Sequence, residues 1–183
     1  MKYAPQLCVP VTALPKGNEW IYELKYDGYR ILAVNSRLIS RNGKDWTDRF
    51  KSIQAPSNMV LDGEVVSESF SDVRKSSSLA YMVFDILSLD DVDLRDKPLL
   101  KRKEILQSVI AAGSNIQCSD YKKTFTQAEF DALCKGGFEG IIAKRANSTY
   151  SGTRNGDWVK LKCRPHAITP QVTGVGKSKY PNY

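Results

Sequence analysis

Short runs of strand type dominate the chain, in which apolar and polar positions alternate with a period of two. Trp20–Tyr26, Tyr29–Val34, Val60–Val66, Tyr81–Leu87, Gly140–Lys144 and Trp158–Cys163 read as strands, separated by turn chemistry such as Arg41-Asn42-Gly43. Two segments carry helical spacing instead. Pro98–Ala112 has apolar residues at helical intervals, proline at its start and Gly113 just past its end. Thr126–Lys135 opens on a threonine with Glu129 three residues later, a capping-box pattern, and stops at Gly136-Gly137. Strands and helices do not alternate regularly, which argues against a doubly wound parallel sheet. The pattern predicts an α+β domain of mostly antiparallel sheets with flanking helices. Arg164-Pro165 reads as a boundary, followed by a new strand-like segment at Ile168–Val175.

Strand periodicity also sorts the charged residues onto faces. In Trp20–Asp27, alternation puts Glu23, Lys25 and Asp27 on one face and Tyr22, Leu24 and Tyr26 on the other. In Val60–Val66, Asp62 and Glu64 share a face, with Gly63 between them permitting close approach of a backbone or ligand. In Trp158–Cys163, Trp158, Lys160 and Lys162 stand opposite Val159, Leu161 and Cys163. Two carboxylate-bearing faces suit Mg²⁺, and two lysine-bearing faces suit phosphates.

Composition narrows the class. The 183 residues include 27 Lys+Arg, 20 Asp+Glu, one His and four Cys, with 42% hydrophobic and 26% charged positions. That is ordinary for a folded domain and excludes a disordered or fibrous chain. Apolar runs are only a few residues long and the start lacks a basic region followed by an apolar one, so no membrane span or signal peptide is expected, and the localisation expected is cytoplasmic. Cys8, Cys118, Cys134 and Cys163 form no CxxC pair and read as free thiols in a reducing compartment, not as a disulfide frame or zinc site. Charge is unevenly placed. Residues 1–143 hold 19 basic and 19 acidic side chains, whereas residues 144–183 hold eight basic ones against Asp157 alone. A basic block of this kind fits a polyanion partner or a solvated tail.

Against this background Lys25-Tyr26-Asp27-Gly28-Tyr29-Arg30 resembles the KxDGxR nucleophile motif of the covalent nucleotidyltransferases: ATP-dependent DNA ligases and their RNA-ligase and capping-enzyme relatives. The family's other motifs have counterparts in order: Leu61-Asp62-Gly63-Glu64, Val83-Phe84-Asp85, Glu139-Gly140-Ile141-Ile142-Ala143-Lys144 and Trp158-Val159-Lys160-Leu161-Lys162. The segment VFDILSLDDVDLRDKPLLKRKEIL looks like the DNA-ligase branch, and the resemblance runs from about Leu7 to Arg164.

The resemblance implies a nucleotidyltransferase (ATP-grasp-like) adenylation domain over residues 1–165. Residues 166–183 would be a linker or the first strand of a truncated OB-fold domain. It further implies a DNA ligase (ATP) that forms lysyl-AMP, passes AMP to a DNA 5′-phosphate and seals nicks in repair, replication or recombination. Lys25 would be the nucleophile attacking the ATP α-phosphate. Glu23 would sit beside the adenine and Phe84 would stack on it; Asp27 and Arg30 would lie by the ribose. Arg41 would contact ribose or the DNA 5′-phosphate, while Lys160 and Lys162 would grip the α-phosphate. Glu64 and Glu139 would hold Mg²⁺ or Mn²⁺. Lys144 joins the nucleotide set only if its strand begins after Glu139 or carries a bulge, because alternation otherwise separates the two.

Several residues also have plainer readings. Phe84 could be core, Asp62 structural, Arg30 a surface partner of Asp27, and Trp158 a packing residue; His166 is not expected to be catalytic. Arg95-Asp96-Lys97 looks superficially like the family's sixth motif but falls before the fourth, and is rejected as such. Only eighteen residues follow Pro165, too few for a five-stranded OB barrel. The chain is therefore expected to be truncated, naturally short, or completed by an OB-fold domain or partner chain. The expected partners are nicked duplex DNA and ATP, with no membrane, and the chain is expected to be monomeric. An RNA ligase, an mRNA capping guanylyltransferase, and a non-catalytic nucleic-acid-binding module are the alternatives.

Overall fold

The computed structural model describes residues 3–67, 73, 78–111 and 115–163. Its strands are β1 (Val9–Pro10), β2 (Trp20–Leu24), β3 (Tyr29–Val34), β4 (Arg37–Ser40), β5 (Met59–Ser67), β6 (Leu79–Leu89), β7 (Val92–Asp93), β8 (Ile116–Cys118), β9 (Gly140–Arg145) and β10 (Trp158–Lys162). The helices are α1 (Leu99–Val109), between β7 and β8, and α2 (Gln127–Lys135), between β8 and β9. Two sheets result. One is ordered β1-β10-β9-β2; the other is ordered β4-β3-β5-β6-β7, with β8 also paired to β6. Only the β1–β10 and β6–β8 pairings are parallel, so the expected α+β architecture with mostly antiparallel sheets is the one observed.

The two longest strands, β5 and β6, are buried along almost their whole length rather than on alternate positions. Both of their faces are covered. Ile31, Leu61, Tyr81, Val83 and Ile86 pack with Phe50, Ile53 and Leu106 of α1. Val66, Ala80 and Met82 pack instead with Tyr22, Ile141 and Val159 of the other sheet and with Phe130 and Leu133 of α2. A third cluster joins Leu32, Phe84 and Leu87 to Tyr150 and Trp158, closing the two sheets against each other.

Local chemistry starts both helices where their spacing predicts, but α1 ends at Val109, short of the expected Ala112, because Ile110 is already extended. Thr126 Oγ1 accepts from the Glu129 amide at 3.2 Å, and Glu129 Oε2 accepts from the Thr126 amide at 2.7 Å. Pro98 precedes the first turn of α1. This helix, however, buries Arg102 and Lys103 beside Leu99 and Leu106. Arg102 makes a two-pronged pair with Asp85 at 2.7 and 2.9 Å and donates to the Ser148 carbonyl at 3.0 Å. Both side chains are fully buried, and the mutual pairing is what makes two buried charges tolerable.

Three expectations need correction. The first strand ends at Leu24, not Tyr26: the Lys25 backbone amide still donates to the Gly140 carbonyl at 2.9 Å, but the pairing with β9 goes no further. Cys134 and Cys163 are not free thiols; they form a disulfide. The α2–β9 connection and the β9–β10 ladder bring their Cα atoms to 5.4 Å although 29 positions separate them in sequence. Cys8 and Cys118 are free, as expected. Strands β1, β4, β7 and β8 were not foreseen, since two to four residues give too little alternation to read. The boundary at Arg164-Pro165, His166 and the segment Ile168–Val175 lie outside the described residues. No helix among the described residues is long and apolar enough to cross a membrane.

Candidate active site

A cavity opens between the two sheets. Its wall takes Glu23, Lys144, Trp158 and Lys160 from one sheet and Arg30, Glu64 and Phe84 from the other, with Lys25 and Arg41 from connecting segments. The sequence-predicted residues Asp27, Glu139 and Lys162 are not part of this lining. Asp27 is exposed, at a turn imposed by the next residue: a Cβ on Gly28 would lie 2.1 Å from the Val65 carbonyl oxygen. Only glycine fits that contact between β3 and β5.

Lys25 sits just past the end of β2. Its ammonium is paired with Glu139 Oε2, and Lys162 lies 2.8 Å from Glu139 Oε1, so one carboxylate bridges two lysines. Partial burial of Glu139 works against its charge, but its hydrogen bonds to Lys162 and Lys25 hold it below the usual carboxylate range. Glu139 reaches Lys25 because β9 begins only at Gly140, whose φ is +145° and whose Cβ, if present, would lie 2.1 Å from the Leu161 carbonyl oxygen. The strand does begin after Glu139, the condition set for including Lys144; Lys144 lines the cavity, whereas Glu139 stands outside its lining, against Lys25.

The floor of the cavity is charged. Glu23 is 2% exposed; its Oε2 accepts from Lys144 at 2.9 Å and from Ser119 Oγ at 3.2 Å, and Lys103 lies 2.9 Å from Oε1. Burial opposes the carboxylate, yet Lys103 and Lys144 together hold it below its ordinary range. Lys144 is itself pushed down to about 8 by burial, with Glu23 opposing. Its ammonium lies 4.4 Å from the Phe84 ring centre and 4.0 Å from that of Trp158. Those two rings meet edge to face at 6.0 Å. Phe84 and Trp158 are therefore both core and cavity wall, which the plainer reading of each anticipated only in part.

Arg30 does not pair with Asp27. It holds Asp62 through two 2.6 Å hydrogen bonds and donates to the Gln6 carbonyl at 3.2 Å, with its guanidinium 4.5 Å above Phe84. Burial works against its charge, but Asp62 outweighs burial and keeps Arg30 protonated. Asp62 is fully buried and also accepts from the Tyr150 hydroxyl at 2.6 Å, the structural role anticipated for it. Its neighbour on that face, Glu64, has no ion-pair partner among the described residues. Burial pushes its carboxyl up to about 7, against Arg30 and Lys25. Glu64 and Glu139 are two separate carboxylates; among the described residues no group of three or more potential metal ligands gathers.

The lining adds Cys8 and Arg154, and Lys103, Ser119, Tyr150 and Gln6 stand behind it. Sequence reasoning missed all of these. Arg154 lies in the basic block that charge counting flagged, the one available signal.

Comparison with known proteins follows the same line. The model of the ATP dependent DNA ligase domain family matches residues 5–72 and 66–162. A multifunctional non-homologous end joining protein, LigD, of Pseudomonas aeruginosa is 34% identical over 187 residues, covering 88% of this chain and 22% of that protein. A DNA ligase of Natronomonas pharaonis is 32% identical over 201 residues, covering 90% of this chain and 36% of that protein. Among solved structures, a mycobacterial DNA ligase D complexed with ATP and MES has a TM-score of 0.75 and 31% identity, covering 88% of this chain and 60% of that one. The chain thus spans about a fifth to a third of the length of these two curated relatives.

Proposed function

The chain belongs to the ATP-dependent DNA ligase domain family, and from that premise we propose that it is the adenylating unit of a DNA ligase, with Lys25 as its nucleophile. The observation that carries this reading is the position of Lys25. Its amine stands at a cavity that offers aromatic walls to a base and Arg30, Arg41, Lys144 and Lys160 to phosphates and ribose.

In the proposed reaction Lys25 first gives up its proton to solvent water, since only the neutral amine attacks. Glu139, paired with its ammonium, is positioned to hold that charge until then. The nitrogen lone pair forms a bond to the α-phosphorus of ATP, the bond from that phosphorus to the β-bridging oxygen breaks, and pyrophosphate leaves with the electron pair. Lys160 and Lys162 are suited to stabilise the charge that develops on the phosphate oxygens. AMP then passes to a DNA 5′-phosphate, and attack by the neighbouring 3′-hydroxyl releases AMP and closes the nick.

Glu64 and Glu139 are the residues that would hold Mg²⁺. Their fit rests on Glu64, a half-buried cavity carboxyl that makes no ion pair among the described residues and whose hard oxygens suit a divalent cation. When bound, the metal neutralises phosphate charge.

The test is incubation with α-labelled ATP and Mg²⁺ followed by denaturing electrophoresis. Label should stay on the wild-type chain, vanish in Lys25→Ala, and fall sharply in chelator. Label retained by Lys25→Ala would overturn the assignment. Transfer from GTP but not ATP would identify a capping-type enzyme, and transfer from neither would identify a binding module.

A further inference from the structure

Gln6 is fully buried, although it lies outside every motif quoted above and has no part in the proposed reaction. A glutamine is seldom placed in a core unless its amide is hydrogen-bonded. Here both ends of the amide are. Oε1 accepts from Ser151 Oγ and from the Gly152 amide, each at 2.9 Å, and Nε2 donates to Asn155 Oδ1 at 3.0 Å. All three partners belong to the connection between β9 and β10, and they flank Arg154. That arginine lines the cavity and is also exposed, which puts it at the mouth. We propose that Gln6 is a positioning residue, which clamps this connection so that Arg154 presents a fixed guanidinium to a phosphate at the cavity mouth. This rests on the adenylation reading above and adds to it a buried residue that acts on substrate affinity.

The backbone on either side of Gln6 continues the clamp. The Leu7 amide donates to the Thr153 carbonyl at 3.0 Å, and Arg154 Nη1 donates to the Cys8 carbonyl. The Gln6 carbonyl accepts from Arg30 at 3.2 Å. Two carbonyls of one short segment, at Gln6 and Cys8, therefore each hold an arginine of the cavity wall. The two arginines are not held equally. Arg30 is also locked by Asp62 through two hydrogen bonds of 2.6 Å. Arg154 makes no ion pair among the described residues, so its place is set by the connection that carries it and by the Cys8 carbonyl. Of the two, Arg154 is the one that depends on the Gln6 side chain.

An arginine on an exposed connection loses side-chain and loop freedom when it grips an anion, and that loss weakens binding. Holding the guanidinium in place beforehand removes part of the penalty. With one Nη donating to Cys8, the rest of the planar fork of donors is left for phosphate oxygens. Affinity gained in this way acts alike on bound substrate and on the transition state. It therefore shows in the half-saturating concentration and not in the saturated rate. The proposed reaction brings phosphate from two sources, the ATP tail and the DNA 5′-phosphate, and the two are separated by experiment.

The experiment has two arms: covalent labelling against ATP concentration, and binding of nicked duplex with or without a 5′-phosphate, read by fluorescence anisotropy. Both are run on the wild-type chain, Gln6→Met, Arg154→Ala and the double variant. Gln6→Met keeps the length of the side chain and loses its three hydrogen bonds. In one arm it should weaken phosphate binding about five-fold, the equivalent of one net hydrogen bond. For ATP that is a raised half-saturating concentration with the saturated rate kept within about two-fold. For DNA it is a weaker phosphorylated duplex with the unphosphorylated one unchanged. Arg154→Ala should lose at least as much in the same arm, and the double variant should match Arg154→Ala, since the clamp then has nothing to hold. A merely structural glutamine predicts a lower saturated rate, equal losses for both duplexes, or losses that multiply in the double variant. Any of these, or no weakening in either arm, overturns the proposal. If Gln6→Met fails to fold by circular dichroism, Asn155→Ala removes the exposed end of the clamp and the same readings apply. A wild-type chain that takes no label from ATP would instead defeat the adenylation reading itself.

Discussion

Lys144 shows how a single residue can be expensive to bury and still be kept. Its ammonium touches Glu23, Phe84 and Trp158, and burial lowers it to about 8 from an ordinary 10.5. Below pH 8 it is protonated in both folded and unfolded chains, and the folded state carries the cost. Between about 8 and 10.5 the unfolded chain keeps a proton that the folded chain has released, so this residue's contribution to stability rises with pH. The wild type should therefore gain on Lys144→Met by up to about 3 kcal/mol across that window. Urea titrations at half-unit steps of pH check this; a difference that stays constant would mean that burial does not govern the group.

At the level of the element, the start of β9 carries the site. The glycine at 140 lets the chain pass against Leu161, so that Glu139 reaches Lys25 while Lys144 reaches the cavity. Gly140→Ala puts a Cβ into a carbonyl oxygen in a backbone conformation that side chains rarely adopt. It should cost more than about 2 kcal/mol and depress adenylation as well, because Glu139 moves with the strand end. Thermal melting with a single-turnover label assay reads both effects; loss of neither would show that the strand end can slide. The cap of α2 offers the contrast. Thr126→Ala removes the reciprocal Thr126–Glu129 bonds and should cost about 1 kcal/mol, seen as a lower urea midpoint, with adenylation unchanged.

For the molecule as a whole, the disulfide ties the end of α2 to the residue after β10, next to Lys162 and close in sequence to Glu139. The Cys163 amide also donates to the Glu139 carbonyl at 3.0 Å. Closing a loop of 29 residues restricts the unfolded chain and should stabilise the fold by about 3.5 kcal/mol. Melting with and without a thiol reductant, beside Cys134→Ser, tests this. Curves that overlay under all three conditions would show that the bond adds nothing.

Legible in the sequence were the strands long enough to display alternation, both helices with their start signals, the α+β class and the motifs by which the chain resembles its family. These are local properties, set by side-chain period, capping and turn chemistry within a few residues. It also indicated Asp62 as structural, and it stated the condition under which Lys144 could join Glu139. What it could not carry were contacts between distant segments. The Arg30–Asp62–Tyr150 and Asp85–Arg102 pairs, the two lysines on Glu23 and the bond between Cys134 and Cys163 all join positions brought together only by sheet pairing and the packing of α1. Lys103 is the sharpest case. On the helix it is one polar residue among several, and only the docking of α1 against β6 turns its charge inward, where it meets Glu23 and the Ser119 carbonyl.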